Sequence, residues 1–157
     1  MKQFILIIAS AVSLLIFSFS AHALKVGALY LDTAGFFGEI KYGIEKAGEE
    51  EGIELTGANS QSDVAREAEF IDTLLATGVD VVIMSPVSTD SSVAAVERLA
   101  EAGVPVVCYN TCLNDEDAKR LAYALVTTSQ RELGYPVGVI AGNWAIKAGI
   151  DLKIGIH

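Results

Sequence analysis

Four apolar runs in this chain each close on a short polar side chain, at nearly constant spacing. Residues 26–31 lead into Asp32, 53–58 into Asn59, 79–84 into Ser85 and 104–109 into Asn110, in steps of 27, 26 and 25 residues. One strand, a turn, a helix and a return loop take about that much chain in a βαβ unit. Repetition of the unit implies an α/β, doubly wound parallel sheet. Such sheets place ligand sites in the crevice beyond the carboxyl ends of their strands. Asp32, Asn59, Ser85 and Asn110 are therefore expected along one sheet edge. A row of hydrogen-bonding groups there suits a hydroxyl-rich small molecule better than it suits a catalytic cycle.

The segments between the runs carry helical periodicity. Phe37, Ile40, Ile44 and Ala47 recur at three- and four-residue steps, predicting a helix over 37–51 that Gly52 ends. Val64, Ala68, Ile71 and Leu75 predict a second over 63–77, with Ser62 or Asp63 as N-cap and Gly78 as stop. Val93, Val96 and Leu99 mark the inner face of a third, over 91–102. The runs at 81–84 and 104–107 are nearly continuous β-branched or apolar stretches, the signature of central strands covered on both faces. The polar stretch 114–120 reads as a loop, 123–127 as a fifth strand, and 132–148 as a helix with Pro136 near its first turn.

Enzyme chemistry finds little support. No Gly-x-Gly-x-x-Gly follows the first strand and no P-loop is present, so no nucleotide cofactor is implied. The two histidines, His22 and His157, sit at the ends of the chain, which leaves its body without a histidine base. No metal-ligand spacing is visible, and no catalytic residue is assigned. A net charge of −9 argues against nucleic acid, whose phosphates need clustered Lys and Arg, and against anionic lipid surfaces. Cys108 and Cys112 admit two readings: a disulfide across a sharp turn at Asn110 and Thr111, or a buried Cys108 with Cys112 free or paired elsewhere.

Phe36 and Phe37 follow Asp32-Thr33-Ala34-Gly35 just past the first strand. Phe37 falls on the inward helical stripe. Phe36 lies off it and is the better candidate for stacking on the C–H face of a sugar ring. Asp, Asn and Ser also favour caps and turns, so each polar residue alone would mean little. Four of them at successive strand ends make a more specific signal.

At the N-terminus, Lys2, the apolar stretch 4–19 and Ala21-His22-Ala23 form an export signal with expected cleavage after Ala23. Its 16 residues fall short of the roughly 20 that span a bilayer. The expected organisation is a signal peptide over 1–23, an N-terminal α/β lobe over 24–129, and over 130–157 a crossover helix with the first strand, near Lys153, of an incomplete second lobe.

Three segments resemble the exported sugar-binding proteins of ABC transporters, the ribose-binding-like or type I periplasmic binding proteins. They are residues 25–37, 70–86 and 101–110, of which the second, ending Val-Ile-Met-Ser85-Pro86, is the most diagnostic. The likeness runs from Lys25 to the end of the chain. It implies a periplasmic, non-enzymatic receptor, monomeric at full length, whose two lobes close on a small sugar or polyol and deliver it to a membrane permease. It places Phe36, Phe37, Ser85, Asn110 and Thr111 in the ligand cleft. Asp32, Thr33 and Asn59 join them from the strand-end argument. Two departures stand out: Asn110-Thr111 replaces the Asp-Arg of the best-known members, and the Asp-Asn-like pair near Ser129-Gln130 is missing. Loss of the Asp and the Arg removes charged hydrogen bonds that fix a pentose or hexose, which leaves the sugar's identity, and a non-sugar ligand, open. The alternative on the same fold is a periplasmic sensor or chemoreceptor ligand-binding protein. The family's chain is about twice as long, so a truncated form is expected, exposing apolar surface near its last helix and strand.

Overall fold

The computed structural model describes residues 23–150. The expected export signal, apart from Ala23, and the expected strand near Lys153 lie outside the described residues. Five parallel strands form one sheet in the order β2-β1-β3-β4-β5: β1 (Lys25–Tyr30), β2 (Glu54–Asn59), β3 (Val81–Met84), β4 (Val106–Tyr109) and β5 (Ala122–Val126). Between them run α1 (Gly35–Glu50), α2 (Val64–Thr77), α3 (Val93–Glu101) and α4 (Asp115–Leu121), and α5 (Gln130–Ala148) follows β5. The order reverses at β1, which pairs with both β2 and β3. Right-handed crossovers then put α1 on one face of the sheet and α2, α3 and α4 on the other.

The second face holds the main core. Leu29, Val82, Met84, Val106 and Cys108 alternate towards it and meet Ile71 and Leu74 of α2 and Val96 and Leu99 of α3. Gly27 belongs to the same face: a Cβ there would lie 2.8 Å from Leu74 Cδ1, so only glycine lets α2 seat this closely on β1. Asp63 caps α2 by accepting from the Ala65 and Arg66 amides, and Gly78, at φ 69°, ends it. Arg98 joins α3 to α2 through Asp72 Oδ1 at 2.9 Å and the Ala68 carbonyl at 3.2 Å.

Three details differ from the sequence reading. The stretch read as a loop is α4. Asn114 caps it through the Asp117 amide, Asp115, Glu116 and Asp117 fill its first turn, and Lys119 and Arg120 its last, a charge order that suits the helix dipole. The innermost stripe of α2 is Glu67, Ile71 and Leu74 rather than an all-apolar row. Helix α5 begins at Gln130, capped by Ser129, so Pro136 lies beyond the first turn.

The face under α1 is less complete. Val81, Ile83 and Val107 there are only half-buried. Helix α5 exposes Leu133, Tyr135, Ile140, Trp144 and Ile146. The exposed side chains of α5 agree with the apolar surface expected near the last helix. Among the described residues no helix is long and apolar enough to cross a membrane.

Candidate functional site

The parallel strands bring their carboxyl ends to one edge. Asn59 is the last residue of β2, Ser85 and Asn110 directly follow β3 and β4, and Asp32 and Thr33 follow β1 after Leu31. Across the sheet the row therefore reads Asn59, Asp32–Thr33, Ser85, Asn110–Thr111. The amino end of α1 opens onto the same edge and carries Phe36, which is 62% exposed. Phe37 is half-buried and meets Phe36 edge-on, with centroids 5.3 Å apart.

Two of the steps along the row are bridged by hydrogen bonds. Asn59 Nδ2 donates to Thr33 Oγ1 at 3.3 Å, and its Oδ1 accepts from the Gln61 amide at 2.9 Å. Asp32 Oδ1 accepts from the Thr33 amide at 2.6 Å. The Ser85 and Thr111 hydroxyls lie 3.1 Å apart. Ser85 is buried whereas Thr111 is exposed, so Ser85 stands behind Thr111 at the edge. Cys108 and Cys112 are joined in a disulfide with Cα atoms 5.4 Å apart, which is the first of the two readings the sequence left open. Asp32 and Asn110 are connected only through intervening residues.

Several supporting groups escaped the sequence reading. The Tyr109 hydroxyl accepts from the Leu31 amide at 3.2 Å and lies 3.5 Å from the Leu29 carbonyl, tying the exits of β1 and β4 across β3. Burial raises the Tyr109 phenol above its ordinary pKa, and the Leu31 hydrogen bond works against that shift. Ser60 Oγ donates to the Tyr30 carbonyl at 3.2 Å, which holds the exit of β2 against β1. Thr127, just past β5, donates from Oγ1 to the Asn110 carbonyl at 2.9 Å. Its signal was the polar residue ending a fifth apolar run, but the seven-residue α4 makes that step too short to join the regular spacing.

Glu67 is fully buried on α2 and accepts from the Val87 amide at 2.8 Å, holding the loop that follows Ser85 and Pro86. Burial pushes its carboxyl above the usual range, while hydrogen bonds from Ser92 and Val87 pull it back down. The non-glycine residues with left-handed backbone, among those described, are Gln61 and Ser62 after β2 and Asn110 after β4. All three lie at this edge, and backbone strain of that kind concentrates at ligand sites. Among the described residues no group of three or more His, Cys, Asp or Glu is placed to hold a metal ion.

An open α/β sheet with a polar row at its switch-point edge is the frame of a small-ligand binding lobe. Solved structures share the fold. A Mycobacterium smegmatis protein in complex with β-D-fucofuranose superposes with a TM-score of 0.72 at 23% identity, covering 80% of this chain and 41% of that one. The periplasmic binding protein of a Shewanella arabinose ABC transporter gives 0.69 at 19% identity, covering 77% and 40%. In sequence, residues 28–151 match the periplasmic binding protein domain. The Escherichia coli ABC transporter periplasmic-binding protein YphF is 36% identical over 130 residues, 82% of this chain and 40% of that protein. The xylitol-binding protein of Mycolicibacterium smegmatis is 30% identical over 93 residues, 59% and 27% respectively. The chain belongs to the periplasmic binding protein domain family, with the type I fold, and spans about 40% of the length of its Escherichia coli relative.

Proposed function

We propose that this chain is the ligand-capturing N-terminal lobe of an exported solute-binding receptor. The receptor closes two lobes on a small sugar or polyol and hands it to an ABC transporter permease. The observation that carries this reading is the row from Asn59 to Thr111 at the strand ends, set beside the exposed Phe36. Hydroxyls and amides supply both donors and acceptors, as a polyol requires, and the aromatic ring supplies an apolar face. The names of the relatives support a sugar-like ligand and a periplasmic setting for them. The second lobe would supply the remaining contacts and the closure, so this lobe alone binds weakly.

Weak binding calls for a site-resolved titration. Amide spectra of the chain recorded with D-ribose, xylitol, myo-inositol and D-allose at millimolar concentration should show shifts at Thr33, Ser85 and Thr111 for at least one of them. Shifts confined to other surfaces, or none with any of the four, would refute the reading.

A further inference from the structure

We propose that the Cys108–Cys112 disulfide is a positioning clamp of the ligand edge: it holds Asn110 in a left-handed turn that sets Asn110 and Thr111 in the row. This rests on the ligand reading above. The Thr111 amide donates to the Tyr109 carbonyl at 2.7 Å, closing a three-residue turn around Asn110. Asn110 has φ 63°, which places it in the rare, strained form of that turn. Such a conformation persists only where its surroundings impose it.

The surroundings do so from both arms. Cys108 and Cys112 are 1% and 8% exposed and belong to the main core, whereas Thr111 between them is exposed. The chain therefore leaves the core at Tyr109 and is back in it at Cys112, with Asn110 and Thr111 to make the reversal. The exit of β5 braces the same turn. The Asn110 amide donates to the Val126 carbonyl at 2.9 Å, and Thr127 Oγ1 donates to the Asn110 carbonyl at 2.9 Å. Thr111, so held, meets Ser85.

Two other roles for the bond fit less well. A redox sensor needs an accessible sulfur, and both sulfurs here belong to buried residues. A global staple gains from closing a long loop, and this ring spans a sequence separation of only 4. Its effect is local, and it falls on the residues at the ligand edge.

The test compares the oxidised chain with the C108S/C112S variant, and with that variant carrying N110G, by site-resolved amide hydrogen exchange. The clamp predicts that protection of the Thr111 amide falls about tenfold or more without the disulfide, while Leu29 and Val82 in the core change far less. Asn110→Gly, which accepts positive φ without a Cβ clash, should restore much of the Thr111 protection. Unchanged Thr111 protection, or a fall in parallel with the core amides, overturns the proposal.

A second measurement decides the matter even where the serine variant folds poorly. Glutathione disulfide oxidises the two thiols, forming the intramolecular bond and releasing two molecules of glutathione. The equilibrium constant should fall about tenfold in N110V, whose β-branched side chain resists left-handed backbone, and stay at or above the wild-type value in N110G. Equal constants in all three chains overturn the clamp. Neither readout needs a ligand, so a failed sugar titration counts against the ligand reading and leaves the clamp to be judged by these results.

Discussion

Glu67 offers the sharpest check on how the site loop is held. It is a carboxylate on a core stripe, 0% exposed, with Oε2 on the Val87 amide and Oε1 lacking a partner. Replacing it with alanine removes the acceptor for that buried amide, and an unsatisfied buried donor costs about 1–3 kcal/mol. The cavity left behind adds about 1–2 kcal/mol on the scale of large-to-small core changes. Glu67→Ala should therefore destabilise the lobe by roughly 2–5 kcal/mol at pH 4, where the substitution relieves no charge penalty, and by less at pH 7. Glu67→Gln keeps the acceptor and the volume and removes the ionisable group. The sign of its pH dependence follows from the direction of the shift. A carboxyl whose folded pKa is raised above its unfolded value costs nothing while protonated in both states. Its stabilising contribution is lost as pH rises from the ordinary Glu value through the raised one. The advantage of E67Q over wild type should thus grow between pH 4 and pH 7. Urea unfolding of the three chains at both pH values measures it. An E67Q-minus-wild-type difference that stays flat or shrinks with rising pH would sink the argument that Glu67 is buried against its charge. An E67A cost at pH 4 within about 0.5 kcal/mol of zero, as at an ordinary surface site, would sink the loop anchor.

Three further outcomes are expected. Gly27→Ala should cost about 1–3 kcal/mol by crowding Leu74 and Leu74→Ala about 2–5 kcal/mol, with the double variant milder than their sum by about 1 kcal/mol because the new methyl enters the space Leu74 vacates; strict additivity in urea unfolding refutes the close approach. Asp63→Ala should cost about 1 kcal/mol through loss of the α2 cap, with no more than a few tenths for Asp63→Ser, and an unchanged midpoint for the alanine variant would refute the cap. Phe36→Ala should leave stability within about 0.5 kcal/mol, since the ring is exposed, yet weaken the shifts seen with any sugar that binds; equal shifts would remove Phe36 from the site.

The sheet was legible because burial on both faces writes itself as continuous apolar runs, and a parallel strand pointing the right way must end in polar chain. That logic placed β3 and β4 within a residue or two. It missed α4, where 114–120 has no apolar stripe and helix formation rests on the Asn114 cap and on charges ordered along the dipole. It also passed over Glu67, because a charged residue on a helix is ordinarily a solvated one. Only the fold reveals that the Val87 amide needs an acceptor there. Tyr109 was hidden for the opposite reason. Its ring belongs to an apolar run, and nothing local announces that its hydroxyl reaches the Leu31 amide from the other side of β3.

These bridges bear on what kind of ligand the edge can accept. Ser85 and Thr111 share a hydrogen bond, as do Asn59 and Thr33. The groups are therefore preorganised, and a ligand gains only by offering hydrogen bonds at least as good as those it loosens. A molecule bearing a single carbonyl or a single charge replaces one such contact and leaves its partner short. A ring of hydroxyls, each both donor and acceptor, can exchange with several of the pairs at once while its C–H face covers Phe36. The neutral amide and hydroxyl of Asn110 and Thr111 suit such a ligand on the proposed reading, since they accept a hydroxyl in either polarity. Thr111→Val separates the two cases: it removes the exchangeable partner of Ser85 while keeping the shape. It should abolish the shift of the Ser85 amide on titration with a polyol and leave that of Thr33 in place. Uniform loss of both would mean that the row acts as a single rigid surface rather than as exchangeable pairs.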